Sequence, residues 1–196
     1  MDTSAMHTSP HVSTIHRLSG VMLAAFVAIH LVNHALLAVD RDMAFAFMDL
    51  FRIVYRWVPV EALILAAALV QSVTGPMLAR RRTADARGKN TLARITGWYL
   101  LFFLVVHVSA VLGARAMGID TGMHFAAAGL KSWPLRAFFV PYYFFAVVAV
   151  AVHIGLAVSR TRAGRAPGGA RSILAWSTVA GAVTAGVIVG SLIGLE

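Results

Sequence analysis

Two histidines occupy matching positions in a motif that occurs twice along the chain. Residues 17–20 (Arg-Leu-Ser-Gly) are followed ten positions after the glycine by His30, and residues 94–97 (Arg-Ile-Thr-Gly) are followed ten positions after the glycine by His107. Because a helix rises about 1.5 Å per residue, each imidazole lies roughly 15 Å beyond its own glycine. Two helices that cross a membrane in the same direction would therefore carry both imidazoles at one depth.

Paired imidazoles at one depth can ligate a haem iron from opposite sides. The motif therefore predicts a haem b with His30 and His107 as axial ligands. The alternative is that each histidine only hydrogen-bonds to a neighbouring carbonyl or hydroxyl group. His34 lies one turn beyond His30 on the same helix face, so it could replace His30 as a ligand or contact a haem propionate.

A second haem would have to involve His153. His153 lies in the fourth apolar segment, which runs in the direction opposite to the first and third. It falls on the cytoplasmic side of the midpoint of that segment, so it cannot share the site of His30 and His107. A partner at similar depth would come from the second apolar segment, where the residue in that place is Gln71. Glutamine is a weak iron ligand, so the sequence favours a single haem.

Quinone-binding candidates lie near both predicted membrane edges. Ser13, His16 and Arg17 place a hydroxyl, an imidazole and a permanent positive charge on one helical turn, which could bind a quinone carbonyl and relay protons. They could equally form a helix start, with Ser13 or Thr14 as cap and Arg17 reaching lipid phosphates. Glu61 is the only acidic residue within an apolar segment. It is a candidate for proton handling, or a residue at a wet interface.

The composition indicates the elements that must position these residues. Hydrophobic residues make up 59% of the 196 residues and charged residues only 13%, which is too apolar for a soluble surface. Segments of about 20 apolar residues span a bilayer as helices, because lipid cannot satisfy an exposed backbone. We therefore predict an all-α integral membrane bundle, a single domain over residues 1–196 with five transmembrane helices at about 17–39, 58–79, 94–114, 136–159 and 171–194.

The absence of cysteine and the positions of the basic residues exclude several kinds of cofactor and partner. The chain has no cysteine, which excludes iron–sulfur clusters, thiolate-ligated haem and disulfides within it. The net charge of +9 comes from basic residues in two short connections, Arg80, Arg81, Arg82, Arg87 and Lys89 in one, and Arg160, Arg162, Arg165 and Arg171 in the other. By the positive-inside rule both face the cytoplasm, with the N-terminus inside and the C-terminus outside a cell inner membrane. Membrane topology thus explains the basicity without nucleic acid.

The remaining segments have structural interpretations. Residues 40–57 alternate apolar and charged side chains as a short helix at the membrane interface does, and residues 117–134 are similar but less regular. The repeated motif indicates that the first two transmembrane helices match the third and fourth. The fifth lies outside the repeat, and its Gly186, Gly190 and Gly194 favour close helix packing.

Residues 13–20 match the signature S-x-x-H-R-x-[ST]-G, which opens the first helix of many cytochrome b membrane anchors of succinate:quinone oxidoreductases and quinol:fumarate reductases. The chain resembles this family from about Ser13 to Arg160. Five helices, residues 30–34 (His-Leu-Val-Asn-His) and the second copy of the motif are similar to the single-chain, di-haem group. The resemblance implies that His30 and His107 ligate the haem farther from the cytoplasm, and that Ser13 and Arg17 contribute to a quinone site.

The chain departs from the di-haem group at the inner haem. That group ligates its inner haem with a histidine on the second helix, in an H-x-x-x-G frame, and with a histidine on the fourth helix. This chain has Gln71 to Gly75 in the first of these places and so lacks the histidine, while His153 retains the ligand position on the fourth helix. His153 is then a relic, a packing residue or a single axial ligand. The resemblance implies an anchor that passes electrons between quinone and a soluble iron–sulfur subunit, with dicarboxylate chemistry on a flavoprotein. A stand-alone membrane cytochrome and a non-redox helical accessory protein remain the alternatives.

Overall fold

The computed structural model describes residues 10–81, 89–161 and 165–195. Within these ranges the chain is helical, without strands, which confirms the predicted fold class. The helices are α1 (Pro10–Leu36), α2 (Arg41–Tyr55), α3 (Val58–Arg81), α4 (Lys89–Ala116), α5 (Met123–Lys131), α6 (Leu135–Val158) and α7 (Gly169–Ile193).

Five of these helices, α1, α3, α4, α6 and α7, are long and apolar enough to cross a membrane, with mean hydropathies of 1.7 to 2.0. The predicted five-span bundle is therefore confirmed. The first helix begins earlier than predicted, at Pro10, because the polar residues before the apolar segment continue the helix. Ser13 and Thr14 thus lie inside α1, and the interpretation of either as an N-cap is wrong.

The five long helices form a ring in which each packs against the next. The order is α1, α3, α4, α6 and α7, and α7 closes the ring by packing against α1. The two ends of the bundle differ. We call the end covered by α2 and α5 the cap end, and the opposite end, which carries Arg17, Arg80, Arg94, Arg160 and Arg171, the basic end.

The helices α6 and α7 approach closely at two glycines. A Cβ atom on Gly181 would lie 2.8 Å from the Cβ atom of Ala151, and one on Gly155 would collide with the Ser177 side chain. Gly186 and Gly190 are exposed, and no described atom beyond their own helix backbone lies within 4 Å of a Cβ added there. The prediction that these glycines mediate close packing is wrong for both, because their spacing does not specify which helix face meets a neighbour.

Substituting Gly181 with valine should lower the thermal unfolding midpoint in detergent. The added side chain must displace α6, and such overpacking costs about 1–3 kcal/mol. Gly186→Val is the matched control, since it places the same residue in the same helix without a neighbour. Equal midpoints for the two variants would contradict this account of the α6–α7 contact.

The cap end is closed by an apolar cluster that joins four helices. It comprises Leu37, Ala44, Met48, Met123, Ala127, Leu130, Ile188, Leu192 and Leu195, from the ends of α1 and α7 and from α2 and α5. Asp40 caps α2 by accepting a 2.7 Å hydrogen bond from the Met43 backbone amide. The predicted helix within residues 40–57 is thus confirmed, and Ala44 and Met48 are its buried residues.

Candidate functional site

His30 and His107 meet in the middle of the helical ring. Their ring centroids are 6.2 Å apart and their planes are inclined by 69°. The helices that carry them, α1 and α4, are not neighbours in the ring, so the two side chains face each other across its interior. The equal spacing of each histidine from its glycine therefore brings the two imidazoles to one depth, as the sequence predicts.

Each of these imidazoles stacks on a phenylalanine one turn earlier in its own helix. Phe26 lies 5.8 Å from His30 with planes 16° apart, and Phe103 lies 5.1 Å from His107 with planes 13° apart. The repeated motif is thus longer than the sequence analysis recognised and reads R-[LI]-[ST]-G-x5-F-x3-H. Aligning the two segments residue by residue would have revealed it. The stacking holds both imidazole planes in place on the two sides of the interior.

His34 belongs to the same group of rings. Its centroid lies 4.7 Å from that of His30, with planes at 82°, and its Nδ1 atom is buried without a hydrogen-bond partner. The neighbouring Asn33 is 5% exposed, and its Oδ1 atom also has no partner. Buried polar atoms in proteins are nearly always hydrogen-bonded. Two unpartnered atoms on this side of the histidine pair are therefore what a ligand-binding site would show.

The separation of His30 and His107 fits a shared iron. An iron with one imidazole nitrogen about 2 Å away on each side holds the two ring centroids roughly 6 Å apart. Among the described residues no group of three or more metal-ligating side chains occurs. A haem brings four nitrogen ligands of its own and needs only the two that this pair provides. The residues therefore fit a haem better than a bare metal ion.

Between the histidine pair and the basic end lies a layer of polar side chains that contains Gln71 and His153. The Gln71 amide donates to the Ser19 hydroxyl at 2.8 Å and to the His16 carbonyl at 2.5 Å, which joins α3 to α1. His153 Nδ1 lies 3.0 Å from the Thr96 hydroxyl oxygen, which joins α6 to α4. Ser19 and Thr96 are equivalent positions of the repeated motif, so the pair α1–α3 is built like the pair α4–α6. Both side chains therefore hold neighbouring helices together.

The quinone candidates of α1 lie at the basic end. His16 is half-buried, and its Nδ1 atom lies 2.8 Å from the Thr74 hydroxyl oxygen on α3. Ser13 and Arg17 share this turn and are exposed. The turn therefore combines one imidazole fixed by a neighbouring helix with two side chains accessible at the surface.

Glu61 lies at the cap end of α3 and forms an ion pair with Arg115 of α4. Glu61 Oε1 contacts Arg115 Nη1, and the second oxygen accepts from Nη2 at 3.1 Å. The two side chains are 22% and 31% exposed. Sequence reasoning identified Glu61 and missed its partner, since nothing in the local pattern connects residues 54 positions apart.

No protein-family model, no curated protein and no solved structure matches the chain. Of the basic connections, Arg82, Arg87 and Arg162 lie outside the described residues.

Proposed function

We propose that the chain is the haem b-binding membrane anchor of a succinate:quinone oxidoreductase or quinol:fumarate reductase. The observation that carries the proposal is the 6.2 Å separation of the His30 and His107 rings within a duplicated sequence frame. The enzyme class rests on the resemblance of residues 13–20 to the signature of this family. His30 and His107 would be the axial ligands.

A haem held by this pair supplies a one-electron carrier. His30 and His107 would occupy both axial positions, so the site would favour electron transfer over binding of small molecules at the iron. Phe26 and Phe103 fix the two imidazole planes by stacking. The apolar helices around the pair limit access of water.

The quinone site is proposed at the basic end, at Ser13, His16 and Arg17. Ser13 supplies a hydroxyl and Arg17 a permanent charge, both exposed and both able to donate to a quinone carbonyl. His16 is the titratable group on the turn and can exchange the proton that accompanies quinone reduction. Glu61 is a weaker candidate, because its carboxylate is engaged by Arg115.

Dicarboxylate chemistry would belong to a flavoprotein and an iron–sulfur subunit. The exposed arginines of the basic end give a positively charged surface on which an iron–sulfur subunit can dock. The positive-inside rule supports a cytoplasmic orientation for this end in a cell inner membrane. Purification from native membranes tests the partners: co-purification of a flavoprotein and an iron–sulfur protein supports the anchor, whereas a haem protein alone indicates a stand-alone cytochrome.

The haem itself is tested by the reduced-minus-oxidised absorption spectrum of the purified chain. We expect the bands of a low-spin b-type cytochrome. A folded protein that shows no such bands after expression with sufficient haem would refute the proposal and favour a non-redox accessory protein.

Arg17→Gln should impair quinone reduction and leave the b-type spectrum unchanged. Loss of a charged donor to the quinone carbonyl is expected to raise the KM for quinone roughly tenfold, because such a hydrogen bond contributes about 1.5–3 kcal/mol. Arg94→Gln is the matched control, since Arg94 is the equivalent arginine of the second motif. If the two variants raise the KM equally, Arg17 has no specific role in quinone binding.

A further inference from the structure

The buried polar atoms that lack a partner are concentrated at the cap end. Among the described residues there are four such side-chain atoms: Asn33 Oδ1, His34 Nδ1, Arg52 Nε and Arg56 Nε. Two come from the last turns of α1, directly beyond His30, and two come from the last turn and the C-cap of α2. Leaving a buried donor or acceptor unsatisfied is costly, so a cluster of such atoms indicates that this region binds a ligand.

The two arginines have more donor capacity than their protein partners use. Arg52 is 15% exposed, and its Nη2 atom donates to Asp120 Oδ1 at 2.6 Å. Arg56 is 32% exposed; its Nη2 atom donates to the Thr121 hydroxyl at 3.0 Å and lies 3.9 Å from the same Asp120 oxygen. Asp49 reaches Arg52 only at 4.0 Å and is 71% exposed. One carboxylate thus serves two guanidinium groups, and each Nε remains without an acceptor.

Arg52 keeps its charge in this partly buried position. Burial acts to lower the pKa of its guanidinium, but the hydrogen bonds to Asp120 and Tyr55 outweigh burial and raise the pKa above the ordinary value. A permanently charged donor in a low-dielectric region attracts an anion strongly, and a carboxylate matches the planar guanidinium best.

Aromatic contacts connect these arginines to the histidine pair. The Tyr55 ring lies 5.8 Å from the Phe26 ring, and Phe26 in turn stacks on His30. Tyr55 is the last residue of α2, with Arg52 in the same turn and Arg56 directly after it as the C-cap. On the opposite side of the pair, the next polar layer consists of Ser19, Gln71, Thr96 and His153, which carry no permanent charge. The guanidinium groups therefore lie on the cap side of His30.

We infer that Arg52 and Arg56 form a carboxylate-binding site for the propionates of the haem. The inference rests on the proposed function and adds to it the direction in which the porphyrin is held, with its propionate edge toward the cap end. The amphipathic helix α2 thereby becomes part of the cofactor site.

The test compares haem b with its dimethyl ester, in which both propionates are uncharged. Full-length chain prepared without haem is titrated with each compound in detergent, and binding is followed by the Soret absorbance. The wild-type chain should bind the free acid roughly tenfold more tightly than the ester or better. Arg52→Gln combined with Arg56→Gln should remove this preference while the ester still binds.

Two controls separate carboxylate binding from a role in holding α2 in place. Arg41→Gln removes an arginine of the same helix that donates to the Gly194 carbonyl at 2.8 Å, and it should keep the preference. Asp120→Ala removes the carboxylate that contacts both arginines, and it should keep or increase the preference. If Asp120→Ala instead abolishes the preference as the double variant does, the arginines act only by holding the cap.

The outcomes distinguish this inference from the function on which it rests. Equal affinity of the wild-type chain for haem and its dimethyl ester, with a normal bis-histidine spectrum, would overturn the propionate site alone. Failure of the wild-type chain to bind either compound would overturn the proposed function together with the site.

Discussion

His107→Ala should abolish the b-type spectrum completely. A bis-histidine haem needs one imidazole on each side of the iron, and His107 is the only histidine of α4. The opposing rings, His30 and His34, both belong to α1 and lie on the other side of the interior. Without His107 the second axial position has no replacement within α4. The measurement is the haem content and the reduced-minus-oxidised spectrum of purified protein, normalised to folded chain.

His153→Ala is the matched control for this prediction. It also removes a half-buried histidine from a long helix, but one that bonds Thr96 in the layer nearer the basic end. We expect it to retain the spectrum at wild-type haem content. A His107→Ala protein with an unchanged low-spin spectrum would eliminate His107 as a ligand, and loss of the spectrum in His153→Ala would move the haem toward the basic end.

Removing His30 from α1 should affect haem binding less than removing His107 from α4. His34 lies 4.7 Å from His30, so a His30→Ala variant has a second imidazole nearby that can take the axial position after a small shift. We therefore expect His30→Ala to retain part of the haem with altered bands, and the double variant His30→Ala and His34→Ala to lose it. Complete retention of normal bands in His30→Ala would identify His34 as the ligand.

The histidine pair was predictable because it depends on helix geometry alone. A fixed rise per residue converts equal spacing from Gly20 and Gly97 into equal depth, and the structure places the two rings 6.2 Å apart. The two stacked phenylalanines were present in the same repeat and required only a longer comparison of the two segments. These features are local in sequence and therefore readable from it.

Contacts between distant segments were not predictable in this way. The pairing of Glu61 with Arg115 depends on how α3 and α4 are offset along their axes, which apolar helices of similar length leave undetermined. The close contact at Gly181 in place of Gly186 depends on how α7 is rotated, and glycine spacing does not specify rotation. The packing of Ala44 and Met48 of α2 depends on a cluster assembled from four separate parts of the chain.

Removing only one partner of the ion pair between Glu61 and Arg115 should lower stability clearly. Removing one partner of a buried ion pair costs about 3–5 kcal/mol, and the partial exposure of these side chains lowers that value. Arg115→Leu leaves the Glu61 carboxylate without its cation near the end of a transmembrane helix, where an unpaired charge is unfavourable. We expect a clearly lower thermal midpoint in detergent or nanodiscs than for the wild-type chain.

The double variant Glu61→Leu and Arg115→Leu decides whether the pair is structural. Removing both charges leaves no unpaired group, so the midpoint should recover most of the loss, and quinone reduction should remain near the wild-type rate. Glu61→Gln separates this from proton handling, because the amide oxygen still accepts from Arg115 but the group no longer exchanges a proton. Loss of quinone reduction in Glu61→Gln at an unchanged midpoint and unchanged haem content would place quinone chemistry at the cap end and overturn the assignment of Ser13, His16 and Arg17.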